Sequence, residues 1–130
     1  MPATGLNRYL PDWSVTSNPG VGAQASASQP ASTAPALKEN RHVCTSVSAT
    51  LVAAAATAAQ ATLNLRDGAT GAGTILGSWV LAVPGVIGSY APFSIDSLEI
   101  IGSPNTAMTL EFSAATATQF QSVTMTGHTL

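Results

Sequence analysis

The chain has 130 residues, of which 8% are charged, and its net charge at pH 7 is −2. This length allows one domain with a modest core, and the 4 basic residues form no patch for binding nucleic-acid phosphates. Charged residues make up roughly 25% of ordinary soluble proteins, so this composition indicates a surface that packs against other subunits. A Ser/Thr-rich surface, as in many all-β proteins, is the alternative.

The N-terminal part of the chain differs in composition from the rest. Residues 24–36 consist only of Ala, Ser, Thr, Pro and Gln, which bury too little surface to offset the entropy of ordering. We therefore predict an extended N-terminal arm over residues 1–40 and one folded domain over residues 41–130. An arm of this kind is ordered only by a partner surface, either its own domain or a neighbouring subunit, which points to an assembly protein.

Four large side chains near the start of the arm are the candidate partner-docking residues. Leu6, Tyr9, Leu10 and Trp13 have helical spacing, but Pro11 favours a single turn that ends near Leu10. Tyr and Trp give a large contact area at low entropic cost, so this segment is predicted to dock on another subunit. The alternative is that these residues fold back over an open edge of their own sheet.

The domain shows the period-two patterns of β-strands, separated by turn-forming residues. Such strands predict an all-β fold, namely a single β-sandwich or jelly-roll-like domain. The Ala-rich run 53–59 has high helix propensity, but it is short and lies between two strands. We interpret it as a connection, with a helix as the alternative. The predicted strands cover residues 42–51, 61–66, 74–83, 93–101, 106–112 and 119–125.

Glycines near the middle of the chain resemble a nucleotide-binding loop only in spacing. Gly71, Gly73 and Gly77 precede or lie within a predicted strand, whereas the dinucleotide motif requires a helix after the loop. The preceding Asp67-Gly68 pair favours a hairpin turn. No cofactor is therefore predicted.

Titratable side chains show no catalytic or metal-binding pattern. His42 and His128 are the only imidazoles, and neither has a ligand pair nearby. Asp96 and Glu99 lie among apolar residues and are predicted to face solvent on a strand or its turn. Cys44 is single, which excludes an internal disulfide, and it is interpreted as a small core residue. We expect that the protein is not an enzyme.

The N-terminal residues lack the pattern of a secretory signal, and the apolar run Trp79–Ile87 is too short to span a bilayer and is broken by Pro84. We therefore expect a protein made in the cytosol that has no contact with membranes.

Several segments of the domain resemble small β-sandwich virion structural proteins of tailed bacteriophages. The resemblance covers roughly residues 41–130, leaves out the arm, and lies in strands and turns rather than in active-site motifs. It rests on Leu65–Gly68 (LRDG), Gly71–Thr74 (GAGT), Gly102–Ser103, Asn105–Ser113 (NTAMTLEFS) and Val123–Gly127 (VTMTG).

The resemblance implies a structural role in a virion that is assembled in the host cytoplasm. The first hypothesis is a capsid decoration or cement protein, expected as a homotrimer on the major capsid protein or other virion subunits, whose arm staples neighbouring subunits. One alternative is a tail or fibre-attachment component. Another is a carbohydrate- or receptor-binding β-module, in which Trp79, Tyr90 and Phe93 would stack on sugar rings.

Overall fold

The computed structural model describes residues 12–32 and 39–130, and the described residues form strands and connections without a helix. Every pairing between the strands is antiparallel. The strands are β1 (Asp12–Val21), β2 (Ser26–Gln29), β3 (His42–Ala53), β4 (Ala59–Asp67), β5 (Thr74–Val83), β6 (Tyr90–Ile95), β7 (Ile100–Ile101), β8 (Met108–Phe112) and β9 (Gln119–Thr129).

The strands form two sheets that enclose one hydrophobic core. The first sheet has the order β1-β9-β3-β6, with β7 also paired to β3, and the second has the order β2-β8-β4-β5. Leu51 and Met125 of the first sheet and Leu63 and Phe112 of the second are fully buried in the core. The prediction of an all-β, sandwich-like fold is confirmed, whereas the jelly-roll subtype stays a prediction.

Part of the predicted arm belongs to the sandwich. β1 pairs with β9, and β2 pairs with β8, as in the alternative in which this segment folds back over its own sheet. Main-chain pairing does not require apolar bulk, and Ala25 and Ala27 are buried at positions that admit a small side chain. The rest of the predicted arm, residues 1–11 and 33–38, lies outside the described residues.

The domain strands lie close to where the sequence pattern predicts them, with one difference. The stretch predicted as one strand over residues 93–101 is divided into β6 and β7. Ser97, in the connection between them, has a φ of 59°, which a continuous strand cannot accommodate. The Ala-rich run after β3 is a connection, as predicted.

The glycines that resemble a nucleotide loop form the β4–β5 hairpin, which confirms the predicted turn. Gly73 has a φ of +81°, and a Cβ at this position would collide with the carbonyl group of Asp67. Only glycine fits there, because the position combines a left-handed conformation with a close backbone approach.

The strand register gives the sandwich two ends of different chemistry. The apolar end consists of the connections 22–25, 54–58, 84–89 and 113–118, which contain no Asp, Glu, Lys, Arg or His. The charged end contains the β6–β7 and β7–β8 connections, and Asp67 of β4 joins it by accepting a hydrogen bond from the Ser103 amide at 2.9 Å. Charged residues that lie at this end are Asp12, Glu39, Arg41, Arg66, Asp67, Asp96 and Glu99.

Candidate interaction surfaces

Trp13 is the one predicted docking residue within the described part of the chain. It lies on the inner face of β1 opposite Gly127, and its ring contacts the ring of His42 edge-on at a centroid distance of 5.6 Å. A Cβ at Gly127 would lie 2.6 Å from Trp13 Cζ2, so glycine leaves the space that the indole fills. Trp13 therefore packs on its own domain. The docking role predicted for Leu6, Tyr9 and Leu10 lies outside the described residues.

His42 is part of the internal hydrogen bonding rather than of an open site. Its Nε2 lies 2.7 Å from the Pro30 carbonyl oxygen and its Nδ1 lies 2.8 Å from Thr129 Oγ1. Because a carbonyl oxygen only accepts, Nε2 carries a proton and donates to Pro30, and in the neutral ring Nδ1 accepts from the Thr129 hydroxyl group. Among residues 12–32 and 39–130, no group of three His, Cys, Asp or Glu side chains is arranged to hold a metal ion. Asp96 and Glu99 are exposed.

The outer face of the second sheet carries a buried ion pair that the sequence pattern does not predict. Glu111 is only 1% exposed, and its Oε1 accepts from Arg66 Nε at 2.6 Å and from the Gly71 amide at 2.9 Å. Its Oε2 accepts from the Ser26 hydroxyl group at 3.1 Å. The carboxylate thus joins β2, β8, β4 and the β4–β5 hairpin, and its role is structural.

Cys44 lies in the core, as the sequence predicts. Burial raises the pKa of its thiol to about 11, and a hydrogen bond with the Ser46 backbone opposes this rise. A buried thiol of this pKa is protonated at neutral pH and is a poor nucleophile.

The apolar end presents large hydrophobic side chains to solvent. Val86 and Ile87, in the β5–β6 connection, are 62% and 67% exposed, and Tyr90 follows at the start of β6. Val21 and Phe120 are exposed at the same end. Val86, Ile87 and Phe120 are contact candidates that the sequence pattern did not predict. The signal that would have found them is the absence of charged residues from all connections at this end.

Four of the side chains at the apolar end form a continuous row across the first sheet. Phe120 is paired with both Val21 and Val52, and Val52 is paired with Tyr90. Tyr90 and Phe120 therefore stand on either side of Val52, two strand spacings or roughly 9–10 Å apart. We call this set the apolar row.

Beyond the apolar row, the middle of the outer face of the first sheet carries mainly hydroxyl groups. Thr16, Thr124, Ser48 and Ser94 form one row across all four strands, and Thr16 Oγ1 lies 3.0 Å from Thr124 Oγ1. In the next row the hydroxyl groups of Ser46 and Thr126 bond to each other. We call these two rows the hydroxyl face. They contain no charged residue and adjoin the apolar row, whereas the Asp12–His128 pair lies beyond them at the charged end.

Of the three aromatic residues predicted to stack on sugars, only Tyr90 is exposed. Trp79 and Phe93 pack against each other with a centroid distance of 5.5 Å and lie against the core. Phe120, which the sequence analysis did not select, is the second exposed aromatic residue on this face.

An open depression of about 510 Å³ lies beside the start of β1 and the end of β9. Asp12, Ser14, Thr45, Thr126 and His128 line it. In the described part of the chain, no helix has the length and hydrophobicity needed to cross a membrane.

Comparisons with known proteins show similarity only at the level of structure. No family model matches the chain, and no curated protein matches it. Among solved structures, it is similar to the carbohydrate-binding module CBM36, which was solved in complex with calcium and xylotriose. The identity is 13% and the TM-score is 0.32, and the match covers 90% of this chain and 76% of that one.

Proposed function

We propose that this chain is a structural, non-enzymatic subunit of a tailed-bacteriophage virion, a decoration or cement protein whose apolar end binds the assembled shell. The observation that carries the proposal is the combination of exposed Val86, Ile87, Tyr90 and Phe120 with the lack of charge in all four connections at that end. The centres of protein–protein interfaces are depleted in charged residues and enriched in apolar and aromatic ones.

The energetics of such a contact are favourable. Burying an exposed Val, Ile or Phe side chain contributes on the order of 1.5–3 kcal/mol, so a few of them together offset part of the cost of association. Because these connections contain no charged residue, docking through the apolar end does not bury an unpaired charge from them. A subunit that binds only the assembled shell stabilises it by mass action, and many copies multiply a small gain per copy.

The partner in this proposal is the major capsid protein or another virion subunit. Leu6, Tyr9 and Leu10 are retained as a second contact, which reaches neighbouring subunits. Trp13 is not retained, because it packs within its own domain. The site of action is the virion.

The experiment uses purified particles with and without the protein. We expect a copy number of the same order as that of the major capsid protein on a stained gel. We also expect particles that lack the protein to assemble but to rupture at a lower temperature. Adding back the wild-type chain restores the rupture temperature. An unchanged rupture temperature together with lost adsorption to cells would overturn the cement proposal and favour a tail or adhesion role.

A second candidate function, binding of a neutral glycan, is favoured by one observation. Tyr90 and Phe120 are exposed on one face at a spacing of roughly 9–10 Å, beside the hydroxyl face. Aromatic rings stack on the apolar C–H faces of sugars, and hydroxyl groups bond to sugar hydroxyls. Tyr90→Ala and Phe120→Ala would then each reduce retention of the chain on immobilised polysaccharide. Equal retention of wild type and variants excludes this candidate.

A further inference from the structure

The four edges of the two sheets differ in how they are protected against pairing with another chain. Edge strands expose unpaired N–H and C=O groups, and proteins block them with proline, charge, bulges or short length. β1 carries Pro19 and a bulge between Ser17 and Gly20. β2 is only 4 residues long. β6 carries Pro92 near its centre.

β5 lacks proline, charge and short length, and its second half has no bulge. It is 10 residues long and contains no proline and no charged residue. Its one register irregularity lies near its start, opposite Leu65 and Arg66, so the later residues are regular. Within residues 12–32 and 39–130, no strand pairs with this edge.

Core packing holds the second half of β5 in place. Leu81 and Val83 are buried, and Trp79 packs against Phe93. The alternate residue Val80 points to the outer face and is 64% exposed. The edge is therefore a fixed template that presents an apolar side chain, rather than a frayed segment.

We propose that β5 pairs with β5 of a second copy of this chain, antiparallel about a two-fold axis. The two four-stranded sheets then form one continuous eight-stranded sheet across the dimer. This inference does not depend on the virion assignment.

The choice of a second copy follows from the chemistry of the edge. An antiparallel strand is complementary to itself under a two-fold axis, so one sequence supplies both partners. β5 is uncharged, so two copies meet without like-charge repulsion, which destabilises facing pairs. The other three sheet edges are protected, so the edge of β5 is the place where such pairing can occur.

The symmetry also restricts the register. In an antiparallel pair, residues that lie opposite each other have their side chains on the same face of the sheet. A two-fold axis through such a pair therefore places one residue of β5 opposite the same residue of the second copy. Placing Val80 opposite Val80 brings the two exposed apolar side chains together and sets Ser78 opposite Ala82. Other registers set Val80 opposite Leu76, Ser78 or Ala82 instead of opposite the second Val80.

A cysteine at this position tests the register directly. In an antiparallel pair, opposite Cα atoms lie about 4.5–5.5 Å apart, within the range that a disulfide bridges. Cys44 is buried and the pKa of its thiol is raised to about 11, so the native cysteine should contribute little disulfide cross-linking of its own. Val80→Cys replaces an exposed side chain, and circular dichroism checks that the variant is folded. The matched control is Ser14→Cys on the protected edge strand β1.

We expect Val80→Cys to form a disulfide-linked dimer faster than Ser14→Cys by on the order of 100-fold, because pairing raises the local thiol concentration. Sedimentation equilibrium of the wild type should show a monomer–dimer equilibrium that Val80→Lys shifts to monomer. The proposal is overturned if the wild type is a monomer at all concentrations, if it is a trimer, or if both cysteine variants cross-link at the same rate.

Discussion

The two ends of the sandwich use their side chains in different ways. At the charged end, polar groups bond within the chain: Arg66 binds Glu111 of the adjoining sheet face, Asp67 binds Ser103, and His42 binds Thr129. At the apolar end, the connections consist mainly of Ala, Thr and Gly, and the large side chains point to solvent. The difference indicates that the charged end stabilises the fold, whereas the apolar end is available for contacts with other molecules.

The largest effect is expected at the buried ion pair that adjoins the charged end. Arg66→Ala should lower the free energy of unfolding by about 3–5 kcal/mol, because Glu111 stays buried without its partner. Chemical denaturation measures the loss. The control is the double variant Arg66→Met/Glu111→Leu, which removes both charges and should lose much less. Equal losses in the two variants would contradict this account of the charged end.

Substitution of Trp13 tests whether its contacts stabilise the fold or bind a partner subunit. Trp13→Ala should lower the free energy of unfolding by about 2–3 kcal/mol, because it removes the indole that fills the space above Gly127. Gly127→Ala should also destabilise the fold, because the added methyl group collides with that indole and with the Val43 carbonyl group. A Trp13→Ala variant with unchanged stability and weakened assembly would return this residue to a docking role.

At the apolar end, a substitution should weaken binding to the shell and leave the stability of the fold nearly unchanged. Ile87→Asp should change the free energy of unfolding by no more than about 0.5 kcal/mol, because the side chain is exposed. The same change should weaken binding to particles that lack the protein by about 2 kcal/mol or more. Cosedimentation with such particles measures the binding.

The matched control for Ile87 lies at the charged end. Ile101 in β7 is also an exposed isoleucine, and Ile101→Asp should leave the binding unchanged. If both variants bind equally weakly, the contact surface is not confined to the apolar end.

Sequence patterns predict the strands whose inner faces carry large apolar residues. β5 has the bounds that the pattern predicts, Thr74–Val83, and β3 and β9 are each a little longer than predicted. β1 and β2 were not predicted because they have few apolar residues on their inner faces. The large inward-facing side chains of β1 are Trp13 and Val15, and β2 has only Ala27 there. Strands of this kind depend on main-chain pairing with distant partners, which no local pattern records.

The candidate surfaces could be predicted only in part. Arg66 and Glu111 are 45 residues apart, so no local spacing connects them. Exposure of Phe120 and Tyr90 depends on which face of the first sheet is buried, and that requires the pairing of β9, β3 and β6. The lack of charge at the apolar end is readable from the sequence once the positions of the connections are known.

The smallest effect concerns two neighbouring glutamines in the interior near the apolar end. Gln119 and Gln121 are each 1% exposed. The amide atoms of Gln119 have no hydrogen-bond partner within the described residues. Gln121 accepts from the Ala25 amide at 3.1 Å and donates to the Ala114 carbonyl group at 2.9 Å.

The same substitution should therefore have opposite effects at these two positions. Gln119→Met should raise the free energy of unfolding by about 1 kcal/mol, because it removes an unpaired buried amide and keeps the volume. Gln121→Met should lower it by about 1–3 kcal/mol, because the Ala25 amide and the Ala114 carbonyl group lose their partner. Thermal and chemical denaturation of the pair measure the difference. Equal losses in both variants would mean that Gln119 has a partner in solution. The interior near the apolar end would then be as fully bonded as that of the charged end.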